Sequence, residues 1–286
     1  MPITQEQRLA RKDHLGSSDI PAILGFSRFN TPYDVWLEKT GRISSSIEDK
    51  STAYQEAGTI LEESVLNWAQ KGGYVNTFER DVELAIPDTP IVVHIDAREI
   101  DSKRPIEAKT EGLFGPIIQT WGEPNTNEVP EYTCLQAQTH IWATDSDMCH
   151  VPSFLGGRGF GYFFVQRDEE ILNLIRQGVA DFWDRVEKDI PPDSQPSLAA
   201  AKRIRRVEGE PAKLSEEIVQ KWLEAREKAT AAEKEKDIAH ATILAALDGK
   251  AEGICPQGLI TNYMQSKKEH LVQACTYPVM RFKKGK

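Results

Sequence analysis

The chain has 286 residues, of which 40% are hydrophobic and 28% charged, as is typical of a globular protein with a sizeable core. No apolar run approaches the roughly 18 residues that span a bilayer, and the polar start is no signal peptide, so we expect a cytoplasmic protein without membrane segments. The net charge of −9 argues against a protein that coats nucleic acid, but it permits a local basic channel. The four cysteines lack C-x-x-C spacing, which indicates reduced structural thiols.

Helices and strands are predicted by two different hydrophobic periods along the first two thirds of the chain. Helical spacing, with capping residues or glycines at the ends, predicts helices at 20–24, 31–41, 52–71, 130–144 and 168–188. Alternation with period two predicts strands at 80–86, 90–99, 104–110, 147–155 and 160–166. The predicted strands therefore form two groups in the middle of the chain, with helices before, between and after them.

The last third of the chain has a different composition. Residues 191–211 are rich in proline, serine and charge, which predicts a linker after a core at 1–190. Residues 214–248 are rich in Ala, Glu and Lys and predict one long helix or a helical hairpin, and 256–284 favours short strands. We therefore expect residues 212–286 to form a C-terminal extension with a basic tail.

The strongest chemical signal is Asp96 followed eleven positions later by Glu107, with Ala108 and Lys109 directly after it. In an extended strand Glu107 and Lys109 point to one face, and a paired strand could bring Asp96 to the same place. Carboxylates bind Mg²⁺ or Mn²⁺, and a lysine beside them can orient or deprotonate a water or stabilise a phosphate. The alternative is a solvent-exposed ion pair, but the apolar neighbours favour burial, where charges need a partner or a metal.

Five stretches together resemble the YqaJ-type viral recombinase and phage lambda exonuclease group of the PD-(D/E)XK nuclease superfamily. The resemblance covers roughly residues 8–188 and keeps the order of motifs in that group. The stretches are Arg11–Gly25, Pro32–Gly41, Gly58–Glu62, Asp96 with Glu107–Lys109, and Pro130–Gln138. Each stretch alone is a weak signal, and five in the same order are a strong one.

The resemblance implies an α/β fold with a central mixed sheet flanked by helices and a Mg²⁺-dependent active site, in which Mn²⁺ could substitute. It implies metal binding by carboxylates and one backbone carbonyl, namely those of Glu62, Asp96, Glu107 and Ala108. Lys109 would be the catalytic lysine, and Gln136 would support the water or phosphate. Arg11 and Ser18 would hold the 5′ phosphate of a DNA end. The expected activity is 5′-to-3′ degradation of linear duplex DNA, which leaves 3′ single strands for an annealing protein.

Other functions remain open from the sequence. One alternative is a different nuclease of the superfamily, RecB-like or an endonuclease, although the cysteines lack the spacing of an iron–sulfur site. The other is a non-catalytic DNA-binding protein on the same fold, against which the complete set of carboxylates and Lys109 argues. The resemblance also implies a ring-like homo-oligomer around DNA, which would let an acidic subunit bind DNA through a basic channel.

Overall fold

The chain divides into two compact units, Met1–Arg206 and Val207–Lys286. A computed structural model describes residues 12–43, 53–112, 120–205, 209 and 211–264. In these ranges no helix is both long enough and apolar enough to cross a membrane. The division into a core at 1–190, a linker at 191–211 and an extension at 212–286 stays a prediction.

Six strands of the first unit form one mixed sheet. They are β1 (Phe78–Ala85), β2 (Val92–Glu99), β3 (Pro105–Ile106), β4 (Lys109–Glu111), β5 (Met148–Leu155) and β6 (Gly159–Gln166). The strands β1, β2 and β3 pair antiparallel in that order. Both β3 and β4 pair parallel with β5, whose other edge pairs antiparallel with β6. Parallel and antiparallel pairs thus meet at β3, near the centre of the sheet.

The predicted strand at 104–110 is two short strands, with Glu107 and Ala108 between them. Glu107 N still donates to the carbonyl of His150 on β5, so β3 and β4 follow one line along β5. The interruption has its cause in a side chain of β2, because Ala108 N donates to the carboxylate of Asp96 at 2.8 Å instead of to the backbone of a neighbouring strand. A side chain of the candidate site therefore replaces one bond of the strand ladder.

Helices cover both faces of the sheet. They are α1 (Ile20–Ile23), α2 (Pro32–Lys39), α3 (Ala53–Lys71), α4 (Glu131–Thr144), α5 (Glu169–Glu187) and α6 (Leu198–Lys202). Leu66 of α3 packs in one cluster with Ile106, and Ala137 of α4 packs in another with Val151. Ile106 and Val151 point to opposite faces, because Ile106 pairs with His150 and successive side chains alternate. The predicted central mixed sheet flanked by helices is confirmed.

Capping side chains fix the start of α2 and join it to the segment before α6. Thr31 Oγ1 accepts from Asp34 N, and Asp34 Oδ2 accepts from Thr31 N, which together form a capping box. The other carboxylate oxygen of Asp34 accepts from Ser197 N at 2.8 Å. Ala200 of α6 is buried in the same core cluster as Val35 of α2. Part of the region whose composition predicts a linker therefore packs on the first unit.

The second unit contains α7 (Glu216–Leu247) and a hairpin of β7 (Glu252–Cys255) and β8 (Gly258–Thr261). Ser215 caps α7 by accepting a hydrogen bond from Ile218 N. The sequence left open a long helix or a helical hairpin, and the structure has one helix of 32 residues. The predicted helical extension is confirmed, although its strands begin before residue 256. The basic segment 281–286 lies outside the described residues.

Buried Glu99 at the end of β2 fixes the alignment of the strands that carry the candidate site. Its Oε1 accepts from Asn76 N at 2.7 Å and from Asn76 Nδ2 at 3.1 Å, and its Oε2 accepts from Ser102 Oγ. Burial acts to raise the pKa of Glu99, but the hydrogen bonds from Asn76 and Ser102 outweigh it, so the pKa lies below its usual value. Glu99 thereby ties the β2–β3 turn to the loop before β1.

We expect Glu99→Gln to lower the free energy of unfolding at pH 7 by about 1–3 kcal/mol, because charge-assisted hydrogen bonds are lost. A carboxyl whose pKa is lowered by folding stabilises the protein above its unfolded pKa of about 4.3, and that stabilisation fades as the pH falls. The difference between wild type and variant should therefore shrink below about pH 4. Urea unfolding at several pH values measures it, with exposed Glu187→Gln as control. A difference that is constant with pH would contradict this role.

Candidate active site

Asp96 and Glu107 lie side by side in the sheet. Ala97 of β2 pairs with Ile106 of β3 in an antiparallel ladder, so the preceding Asp96 lies opposite the following Glu107. Burial raises the pKa of Asp96 well above its usual value, and the nearby charges of Glu107 and Glu62 raise it further. Three carboxylates therefore interact at one place, as the sequence predicted for the metal ligands.

Lys109 provides a positive charge that offsets the negative charge of these carboxylates. Its Nζ lies 2.7 Å from Glu107 Oε1, and it donates to Gln136 Oε1 of α4 at 2.7 Å. Burial acts to lower the pKa of Lys109, but the charge and hydrogen bond of Glu107 outweigh it, and the pKa is raised. Lys109 is therefore a cation in this structure, which favours stabilisation of negative charge over removal of a proton from water.

Glu62 of α3 has a cationic partner that the sequence did not predict. Arg80 of β1 donates to Glu62 Oε1 at 2.9 Å. Arg80 pairs with Ala97 of the adjacent strand, which packs against α3, so it reaches Glu62 on the face of the sheet that α3 covers. An arginine two positions after the start of a strand carries no signal of this role, because its partner is set by how α3 packs on the sheet.

His140 and Ser17 are two further buried residues that sequence reasoning missed. His140 Nδ1 lies 3.3 Å from Glu107 Oε2, and its Nε2 lies 2.9 Å from Ser17 Oγ. Burial lowers the pKa of His140, although the charge of Glu107 acts in the opposite sense. One signal was available, because His140 follows Gln136 by four positions and so lies on the same face of the helix.

Glu111 continues the row of polar residues that begins with Glu107 and Lys109. The three lie two positions apart and so share one face of the strand. Glu111 Oε2 accepts from Trp121 Nε1 at 3.0 Å. Burial raises the pKa of Glu111, against the charges of Lys109 and Arg28. The sequence analysis missed Glu111, although its spacing from Lys109 pointed to the same face.

Of the two predicted phosphate-binding residues, Ser18 is exposed, and it stands beside buried Ser17 in a short 3₁₀ turn. We call Gly16–Asp19 the serine turn. Asp19 accepts from Gly16 N and forms an ion pair with the buried ammonium of Lys39 at 2.8 Å. Arg11, the other predicted residue, lies outside the described residues. The phosphate-binding roles of both stay predictions.

The carboxylates fit a divalent cation by their chemistry. Hard cations such as Mg²⁺ and Mn²⁺ prefer oxygen ligands, and an ion would offset the repulsion that raises the pKa of Asp96. Buried Glu107 Oε2 has no hydrogen-bond partner among the described residues. In those residues no three His, Cys, Asp or Glu side chains already form a ready cation site. Instead, Arg80 contacts an oxygen of Glu62, and Lys109 contacts an oxygen of Glu107. The Ala108 carbonyl stays a predicted ligand.

Comparison with known proteins finds similarity to one family. Residues 8–147 match the model of the YqaJ-like viral recombinase domain. The "Uncharacterized protein YqaJ" of Bacillus subtilis (strain 168) is 25% identical over 205 residues, or 70% of this chain. The aligned region spans 62% of that relative's length. The range 8–147 includes every residue that the sequence analysis assigned to the site.

The structural comparison agrees with the fold. The crystal structure of an alkaline exonuclease (LHK-Exo) from Laribacter hongkongensis aligns with a TM-score of 0.51 and 18% identity, over 65% of this chain and 94% of that one. A crystal structure of LHK-Exo in complex with dAMP aligns with the same TM-score, identity and coverage. The predicted α/β core with a central mixed sheet is thus confirmed as a fold. Residues 8–147 thus resemble the YqaJ-like viral recombinase domain, and the structural comparison agrees with that resemblance in fold.

Proposed function

We propose that this protein is a divalent-metal-dependent deoxyribonuclease that degrades linear duplex DNA from its ends. The single observation that carries the proposal is the contact of Lys109 with Glu107 and Gln136, beside the coupled carboxylate of Asp96. Three acidic groups near one buried ammonium form a site that can bind a cation and a phosphate together. A protein that only binds DNA would need basic residues and not this cluster.

The roles of the residues follow from phosphodiester chemistry. A cation bound by Glu62, Asp96, Glu107 and the Ala108 carbonyl would supply Lewis acidity and activate a water. Lys109 would stabilise the negative charge that builds on the phosphate oxygens, since its ammonium is already positioned and largely shielded from solvent. Gln136 would keep the Lys109 ammonium in place and could orient the water. These roles stay proposals.

The finer description of the activity rests on the family. We propose 5′-to-3′ digestion, with Ser18 and Arg11 at the 5′ phosphate, and the product would be a 3′ single strand for an annealing protein in recombination. We also propose a ring-like homo-oligomer in the cytoplasm, with Mg²⁺ as the working cation and Mn²⁺ as a substitute. The family match and the exposed Ser18 in the serine turn support these proposals.

Lys109→Ala should reduce degradation of linear duplex DNA by about 10²–10³-fold, because one preorganised charge is lost from the transition state. The measurement is digestion of strand-labelled linear duplexes with 5′-phosphate or 5′-hydroxyl ends, in Mg²⁺. The exposed Lys188→Ala is the matched control and should be as active as wild type. Undiminished activity of Lys109→Ala would contradict the mechanism. Cleavage of covalently closed circles by wild type would favour an endonuclease.

Arg80→Met should lower the Mg²⁺ concentration required for half-maximal activity, because Arg80 competes with the cation for Glu62. We expect a shift of about 2–5-fold, since exposed or half-exposed ion pairs contribute at most about 1 kcal/mol. The control is Arg98→Met, which removes an ion pair with Glu79 between β1 and β2 and leaves Glu62 untouched. A higher Mg²⁺ requirement in Arg80→Met than in Arg98→Met would show that Arg80 supports the site and does not compete for it.

A further inference from the structure

Three buried polar side chains form a continuous line from the serine turn to the acidic cluster. Ser17 is 5% exposed, His140 0% and Glu107 4%. The Ser17 hydroxyl lies 2.9 Å from His140 Nε2, and His140 Nδ1 lies 3.3 Å from Glu107 Oε2. The three residues come from the 3₁₀ turn, from α4 and from the link between β3 and β4. The line therefore joins three parts of the chain that are distant in sequence.

The direction of the hydrogen bonds along this line follows from what each group can donate or accept. An ionised carboxylate only accepts, so the His140 nitrogen that faces Glu107 must carry the proton. In a neutral ring, which complete burial favours, the other nitrogen then accepts, and it accepts from the Ser17 hydroxyl. The carboxylate of Glu107 thereby determines which nitrogen of His140 is protonated, and the Ser17 hydroxyl stabilises that tautomer by donating to the other nitrogen.

Two facing atoms in this line make no hydrogen bond within the described residues. His140 Nδ1 and Glu107 Oε2 are both buried, and among the described residues neither has a hydrogen-bond partner. They are a donor and an acceptor that face each other slightly beyond good hydrogen-bond alignment. Burying a polar atom without a hydrogen-bond partner costs free energy. The unpaired donor of His140 and acceptor of Glu107 therefore require an explanation. Glu107 Oε1 is meanwhile held by Lys109.

We propose that His140 is a positioning residue that orients the Glu107 carboxylate for cation binding, and that Ser17 stabilises the tautomer it needs. This inference rests on the proposed function, because it concerns how Glu107 acts as a metal ligand. Carboxylates that bind metals are in turn held by hydrogen bonds, and loss of such outer partners typically costs 10–100-fold in metal affinity. Lys109 and His140 would each hold one oxygen of Glu107 in the absence of a cation.

The same line gives the serine turn an influence on the acidic cluster. Ser17 is held in place because Asp19 accepts from Gly16 N and pairs with the ammonium of Lys39. Ser18, the proposed contact for a DNA end, is the next residue after Ser17. A change in the turn can thus be transmitted to Glu107 through the side chain of His140 alone. That side chain contacts both Ser17 and Glu107, so the coupling has a physical route.

Two nearly isosteric substitutions separate positioning from simple space filling. The amide nitrogen of Asn can occupy the place of Nδ1, so His140→Asn can still donate to Glu107. The amide of Gln reaches the place of Nε2, so His140→Gln can still contact Ser17 but not Glu107. Both variants bury a polar amide, and a merely structural role of His140 would make them similar.

The test is calorimetric titration of the DNA-free full-length protein with Mn²⁺, and thermal unfolding without metal checks the fold of each variant. We expect His140→Gln to bind Mn²⁺ about 10–100-fold more weakly than wild type, and His140→Asn within about threefold of wild type. Ser17→Ala should weaken binding less than His140→Gln, because it removes a hydrogen bond that supports the tautomer without removing the donor to Glu107.

Each outcome decides between the inference and the proposed function. If wild type binds Mn²⁺, Glu107→Gln abolishes binding, and the two His140 variants bind equally, the inference is wrong and the proposed function stands. If wild type does not bind Mn²⁺, the proposed function fails, and the inference fails with it. Weaker binding by His140→Asn than by His140→Gln would also overturn the inference, because it would assign the important contact to Ser17.

Discussion

Repulsion among three carboxylates is the constraint on which this structure depends. Asp96 and Glu107 are neighbours in the sheet, and Glu62 adds a third charge that raises the pKa of Asp96. Such a cluster is stable only if cations or hydrogen-bond donors balance it. In this structure Lys109, Arg80 and the amide of Ala108 do so. The same arrangement would make a bound divalent ion favourable, because the ion would replace part of that compensation.

Helix α4 connects this cluster to the rest of the first unit. Gln136 and His140 on one side of the helix contact Lys109 and Glu107. Gln138 points elsewhere, because its Nε2 donates to Gln166 O and its Oε1 accepts from Asp168 N. The helix is thus fixed to β6 and to the start of α5 by one glutamine, while the other one holds the lysine. Two similar glutamines in one motif have different physical roles.

The sequence predicted the parts of the site that depend on local geometry. Period two placed Glu107 and Lys109 on one face, and the family resemblance added Glu62 and Gln136. It did not reveal Arg80 or Ser17, because their partners are set by packing between distant elements. It also predicted one strand at 104–110, since no local pattern shows that an aspartate would take the amide of Ala108. These features were missed because they depend on tertiary contacts and not on local secondary-structure propensity.

The parallel pairing of β3 with β5 has a consequence for when the site forms during folding. Ile106 pairs with His150, which lies 44 residues later (150 minus 106), so the chain must close a long loop before Glu107 has its neighbours. Such non-local pairings form late in folding. An emerging chain that ends before β5 carries all three carboxylates and Lys109, yet it lacks the strand that aligns them. The acidic cluster would therefore reach its final geometry only once β5 has paired with β3, however early the residues of the cluster are made.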